Sequence, residues 1–182
     1  MLVQLVTHHP EAIAPILRQT PTWVWGLLAA LLALGAMQLR DRRQSLLRVS
    51  LMPVAMTLFS AWGTLSAFGG SPLLGQALVV WAVAAALVFA LLARGRAAAR
   101  YDAATRSYDL PGSAVPLALI AGIFLVKYGV GVELTMAPQL LHDTQYALTV
   151  AGLYGAFTGI FLGRAVRLWR LALPRRPAPV PV

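Results

Sequence analysis

The stretch AALLALGAMQLRDRRQSLLRVSLMPVAMTLF, residues 29–59, decides the fold: an apolar run ends in Arg40, Arg42, Arg43 and Arg48, and a second apolar run follows at once. Arginines wedged between two apolar stretches of that length mark a turn at a membrane surface. Working outward, five such stretches run approximately from Thr22 to Leu39, Val49 to Phe68, Leu73 to Ala93, Ala114 to Val132 and Thr144 to Gly163. Each is near the ~20 residues a helix needs to cross hydrocarbon. The expected fold is all-α, an integral membrane bundle of about five transmembrane helices over residues 22–173. An external amphipathic segment precedes it at 1–21, and a proline-rich cytoplasmic tail follows at 174–182.

Composition agrees, since 59% of the chain is hydrophobic and only 12% charged, against roughly 25% charged residues in an average soluble domain. With 182 residues and five spans, only short connections remain, so one compact bundle without a soluble catalytic domain is expected. The chain has no cysteine, which excludes disulfides, thiolate chemistry, iron–sulfur clusters and cysteine-ligated zinc. Fourteen arginines against one lysine fit a GC-rich genome, and a bacterial source is the expectation.

The formal charge of +9 does not indicate nucleic acid, because the charges flank spans instead of forming a basic face on a soluble surface. Every second connection carries the arginines. With Arg40, Arg42, Arg43 and Arg48 inside, alternation brings Arg94, Arg96, Arg100 and Arg106 to the same side, and Arg164, Arg167, Arg170, Arg175 and Arg176 after them. That leaves Arg18 outside and Lys127 within a span. The positive-inside rule then gives an external amino terminus and a cytoplasmic carboxyl terminus, and a four- or six-span count would misplace one cluster. Arg40, Arg42, Arg43, Arg94, Arg96, Arg164 and Arg167 are the residues expected at lipid headgroups.

Met1 to Val6 carries no basic n-region, and the first long apolar run is followed by charges instead of a small-residue cleavage site, so a cleaved signal peptide is not expected. Met1 to Gln19 reads as an interfacial helix interrupted at Pro10 and Pro15. Thr20 and Pro21 read as an N-cap and first helical residue, with Trp23 and Trp25 in the aromatic belt. The longest inner connection contains RYDAATRSYDLPGS, residues 100–113. It predicts a short cytoplasmic β-hairpin between helices 3 and 4, with Asp102 accepting turn amides, Arg106 left-handed, and Tyr101 and Tyr108 on the two strands. An irregular loop is the alternative. A two-stranded hairpin is marginal alone, so helix ends or anionic headgroups are its expected support. Pro111 and Gly112 end it, and Ser113 can cap the fourth helix.

Gly155, Gly159 and Gly163 recur every four residues in the last span, with Ala151 on the same stripe. Such a groove lets another helix approach closely, and close packing drives association in lipid. Ala114, Ala118 and Gly122 form a similar stripe on the preceding span, so an intrachain pairing of spans four and five is expected. Homo-oligomerisation and a glycine-lined solute passage are the alternatives. Pro53 predicts a kink satisfied by neighbouring groups.

An ionisable residue within a span raises the hypothesis of an internal site. Lys127 is that residue, placed beyond the midplane toward the outside, where its side chain could also snorkel. Tyr128, Glu133, His142 and Asp143 complete the candidate intramembrane polar site. His8, His9, His142, Glu11, Glu133 and Asp143 share the external side, but no metal-binding motif is present. No metal and no cofactor are expected, and without a nucleophile elbow, phosphate-binding loop or dinucleotide fingerprint, no enzyme. The leading reading is a noncatalytic bundle binding membrane lipids, a membrane-protein partner or a second copy of itself. The alternative is a small transporter or proton-linked carrier using Lys127 with an external carboxylate.

TPTWVW, LRDRR with Ser45 and Arg48, DLPGSAVPL, FLVKYGVGV and LYGAFTGIFLGRAVRL together carry a resemblance. Over about Thr20 to Arg170 the chain resembles a family of small proteobacterial multi-spanning membrane proteins known only as a domain of unknown function. The resemblance implies an inner-membrane location and no established activity, and the segment around Thr7 to Gln19 looks longer than such proteins would have.

Overall fold

Five helices long and apolar enough to cross a membrane organise the structure, a computed structural model that describes residues 13–173. His8, His9, Glu11, Arg175 and Arg176 lie outside the described residues, as do most of the amphipathic segment and the proline-rich tail. A short helix α1 (Ile13–Gln19) leads into α2 (Thr22–Ala36), which tightens into a 3-10 turn at Met37–Leu39. The other long helices are α3 (Leu46–Phe68), α4 (Leu74–Ala93), α5 (Val115–Met136) and α6 (Thr144–Ala172). Pro53 lies inside α3, and the Thr57 hydroxyl donates to its carbonyl at 2.8 Å. The Thr20 cap is a correction: Pro21 occupies the N-cap position, and the Thr20 hydroxyl instead donates to the Ile16 carbonyl and meets the Tyr128 hydroxyl at 2.6 Å.

Helix α6 outruns its apolar stretch by nine residues, from Gly163 to Ala172. Its 29 residues are roughly 43 Å long at ~1.5 Å each, well beyond the ~30 Å of a hydrocarbon core. The excess carries Arg164, Arg167 and Arg170. Half of its apolar window is buried in the protein, against 11–24% for the other four helices, so α6 is the central strut.

The glycine stripe explains that burial. A Cβ on Gly155 would overlap the Trp81 carbonyl oxygen, one on Gly159 would lie 2.5 Å from the Ala85 carbonyl oxygen, and one on Gly163 would lie 2.8 Å from the Leu92 Cβ. The partner is therefore α4, the third span, and not α5. Register increases together along both helices, so the pair is parallel. Ala77, Ala85 and Ala93 are buried on α4, a small-residue stripe that the comparison of neighbouring spans passed over. Gly122 of α5 meets only the Phe157 ring, at an ordinary 3.6 Å.

Helix α3 packs antiparallel against α6 and also touches α4. The Ser60 hydroxyl ties three helices together, donating to the Tyr154 carbonyl at 3.0 Å and accepting from the Trp81 indole at 3.0 Å. Further along, the Trp169 indole donates to the Ser50 hydroxyl at 2.9 Å. Helix α2 packs against α5, where Gly35 lies over Leu117.

The fold also departs from all-α. Strands β1 (Arg42–Ser45), β2 (Arg100–Asp102) and β3 (Ser107–Leu110) form an antiparallel sheet in the order β1-β3-β2. The hairpin has its left-handed residue, Arg106 at φ 48°, and Tyr101 faces Tyr108 across it with ring centroids 4.9 Å apart. Its support is a third strand drawn from the first arginine cluster, pairing Arg43 with Asp109 and Gln44 with the fully buried Tyr108. The exposed Arg43 guanidinium donates to Asp109 at 2.7 Å. Gly112 is required where the chain leaves the sheet, because a Cβ there would overlap the Leu39 carbonyl oxygen. Its amide donates to the Asp41 carboxylate at 2.7 Å, and the Ser113 amide donates to the Gln38 carbonyl at 2.9 Å.

Gly159→Ala is expected to destabilise the full chain in detergent by about 1–3 kcal/mol, the usual range for overpacking. Gly131→Ala, where nothing lies within 4 Å, should be neutral or stabilising by up to ~1 kcal/mol. Thermal unfolding of the two variants checks the contrast.

The Thr105 hydroxyl and Ala104 amide hold the Asp102 carboxyl below the usual aspartate range. A depressed folded-state value means that the hairpin contribution is present above the ordinary value of about 3.9 and fades as pH falls through the lower one. The Ala104 amide resonance should titrate with a midpoint below that ordinary value, and Asp102→Asn should abolish the titration.

Candidate functional site

Lys127 lies in the second half of α5 and points between α3 and α6. Its ammonium sits 4.1 Å from the Phe59 ring centroid and 5.1 Å from that of Tyr154. Gly63 makes the room, since a Cβ there would overlap the Lys127 Nζ. Met56, Ser60, Ile123, Phe157, Thr158 and Phe161 complete the walls of a void of about 20 Å³, near the smallest space that holds one water. Cation–π attraction to two rings stands where the carrier alternative would place an external carboxylate.

The five residues of the sequence-derived polar site do not form a cluster. Tyr128 turns the other way, stacking on Phe124 at 6.1 Å and bonding Thr20. Glu133 interacts with Tyr146 on α6. His142 ends the 3-10 turn Pro138–His142, and Asp143 caps α6 by accepting from the Tyr146 amide at 2.8 Å. No ion pair joins Lys127 to any of them among the described residues. Nor do the described residues contain a group of three His, Cys, Asp or Glu side chains placed to hold a metal.

The opposite end has a different character. The two loops that form the sheet, the end of α4 and the last turns of α6 gather eleven arginines and three aspartates among the described residues. Arg40, Arg94 and Arg96 are exposed, whereas Arg42, Arg164 and Arg167 are partly buried. The aspartates have other partners. Asp102 and Asp109 face Arg43, and Asp41 accepts from the Gly112 amide. Arg170 donates to the Ala93 carbonyl at 2.6 Å, which closes the end of α4 onto α6.

Arg42, Arg48 and Arg164 line one cavity of about 120 Å³ between β1, the start of α3, the start of α5 and the charged end of α6. Gln38, Gln44 and Ser113 supply its neutral polar wall. Arg42 donates through Nη2 to Gln38 Oε1 at 2.7 Å, while its Nε is buried with no hydrogen-bond partner, as is Arg167 Nε. Burial holds the Arg42 guanidinium below its ordinary value. Arg164 meets both Arg42 and Arg167 as like-charged neighbours.

Sequence reading placed Arg42 and Arg164 at headgroups but did not join them to Arg48, Gln38 or Gln44, because that convergence depends on the long-range pairing of β1 with β3. The Ser60 node was also missed. A serine in an apolar run carries no sign of which helix it will reach.

A family model described as a family of unknown function (DUF6622) matches residues 1–179. The match includes the initial segment that the resemblance left outside. No curated protein and no solved structure matches the chain.

Lys127→Met keeps an unbranched side chain as far as Cε, removes the cost of burying a cation and loses the cation–π attraction. The variant is expected to fold and to match the parent protein within ~1 kcal/mol, measured by thermal unfolding in detergent. A loss of several kcal/mol would show that the ammonium has a partner beyond the two rings.

Proposed function

The chain belongs to DUF6622, a family of unknown function, and we propose that it is a noncatalytic, multi-pass protein of the bacterial inner membrane that binds anionic lipid through its arginine-bearing end. The observation that carries this reading is the concentration of eleven arginines against three aspartates at one end of the described bundle. Basic residues beside a membrane surface attract anionic headgroups at about 1 kcal/mol each.

Membrane insertion is supported by what the helices expose. Leu47, Leu51, Leu58, Trp62, Leu87 and Leu91 are each more than 60% exposed, and a soluble monomer rarely presents apolar surface on that scale. The positive-inside rule supports a cytoplasmic placement of the sheet-bearing end. A carrier mechanism would need a proton partner for Lys127, and the described carboxylates Glu133 and Asp143 have the other contacts given above. A membrane-protein partner would use the same basic end, with lipid as its competitor.

Reconstituted into mixed vesicles, the protein is expected to enrich spin-labelled phosphatidylglycerol over phosphatidylcholine in its motionally restricted lipid shell. The preference should shrink as ionic strength rises, because the screening length falls from about 10 Å at 0.1 M to about 3 Å at 1 M. Equal restriction of both lipids at low salt would overturn the lipid-binding reading.

A further inference from the structure

We propose that the cavity lined by Arg42, Arg48 and Arg164 binds a single phosphate group, borne by an anionic lipid headgroup. This rests on the lipid-binding reading above and narrows it to one site. The three arginines come from three elements, β1, α3 and α6, and no carboxylate lines the cavity with them. Arg43, outside this cavity, is matched by Asp102 and Asp109. Among the three cavity arginines a bound anion would supply the matching charge.

The donors suit phosphate. Guanidinium groups present paired N–H donors in a planar fork that fits phosphate oxygens, and Gln38 Oε1 fixes the Arg42 guanidinium at the cavity by accepting from its Nη2. The first turns of α3 and α5 also border the cavity through Arg48, Ser113 and Pro116, so the positive ends of two helix dipoles add to the arginines. Packing of α6 holds Arg164 close to Arg42 against their repulsion. An anion between them offsets that repulsion.

Size and floor choose the ligand. About 120 Å³ is well below the roughly 300–1,000 Å³ of sites for drug-sized molecules, which favours a compact headgroup over a nucleotide. Below the arginines the lining turns apolar, with Pro53, Pro116, Leu119 and Phe161 running down α3, α5 and α6. A lipid uses both parts, with phosphate among the guanidiniums and its glycerol and chain starts along the apolar wall. Free phosphate shares only the first contact.

The test is native mass spectrometry of the full chain released from mixed phosphatidylglycerol and phosphatidylcholine micelles. The parent protein should retain one phosphatidylglycerol in preference to phosphatidylcholine. Arg164→Gln and Arg48→Gln should each reduce that retention about tenfold, the worth of one charge-assisted hydrogen bond, while Arg106→Gln, outside the cavity, should leave it unchanged. Arg48 is exposed, so its variant reports on the site even where Arg164→Gln disturbs folding. Displacement of the lipid by millimolar inorganic phosphate, with the same dependence on Arg164 and Arg48, would support the phosphate site and assign it to a soluble ligand, overturning the lipid source. Equal losses in all three variants would overturn the cavity and leave the broader lipid-binding reading standing. No retained lipid in the parent protein, with the vesicle preference intact, would overturn the cavity alone.

Discussion

The close approach of α6 to α4 is the constraint on which the rest depends. In the membrane setting proposed above there is little hydrophobic gain between apolar helices, so contact area and backbone proximity would supply the attraction. Gly155, Gly159 and Gly163 bring the α6 backbone against carbonyls and side chains of α4 at successive turns. That contact fixes the height of α6 in the bundle. It also sets the position of Arg164, which follows the last glycine of the stripe directly.

From that position the other contacts follow. Tyr154 presents its carbonyl to Ser60 and its ring to Lys127, so α3 and α5 meet α6 at one level. Trp169 reaches Ser50 and Arg170 reaches the end of α4. The charged turns of α6 thus stand beside the sheet, whose first strand brings Arg42 to Arg164. One helix connects glycine packing in the apolar middle with arginine convergence at the end.

The spans were legible because hydropathy is a property of single segments, and the boundaries of α2 and α4 agree with their apolar runs within about three residues. What depended on pairing was not. The stripe at Gly155 to Gly163 announced a close contact but not its partner, since Ala77, Ala85 and Ala93 are small residues in a run already rich in alanine. The hairpin was readable from its turn chemistry at Asp102 to Arg106. Its third strand was not, because RRQS has no apolar alternation and pairs with residues more than sixty positions away. The full length of α6 was hidden for a related reason, as arginines ended the apolar count without ending the helix. Lys127 stood out as a charge within an apolar run, but its aromatic neighbours Phe59 and Tyr154 come from other helices and gave no local sign.

The parallel docking of α6 on α4 within one chain is most directly tested by short-range cross-linking of Val80→Cys with Gly152→Cys in this naturally cysteine-free protein. A Cβ at position 152 would lie 3.9 Å from a Val80 methyl carbon and meets nothing closer, so the pair reports proximity without overpacking the helix. The docking predicts an intrachain cross-link in dilute detergent that leaves the protein monomeric on a denaturing gel. Cross-linked dimers without the intrachain product would contradict it, and would move the glycine stripe to an interface between copies.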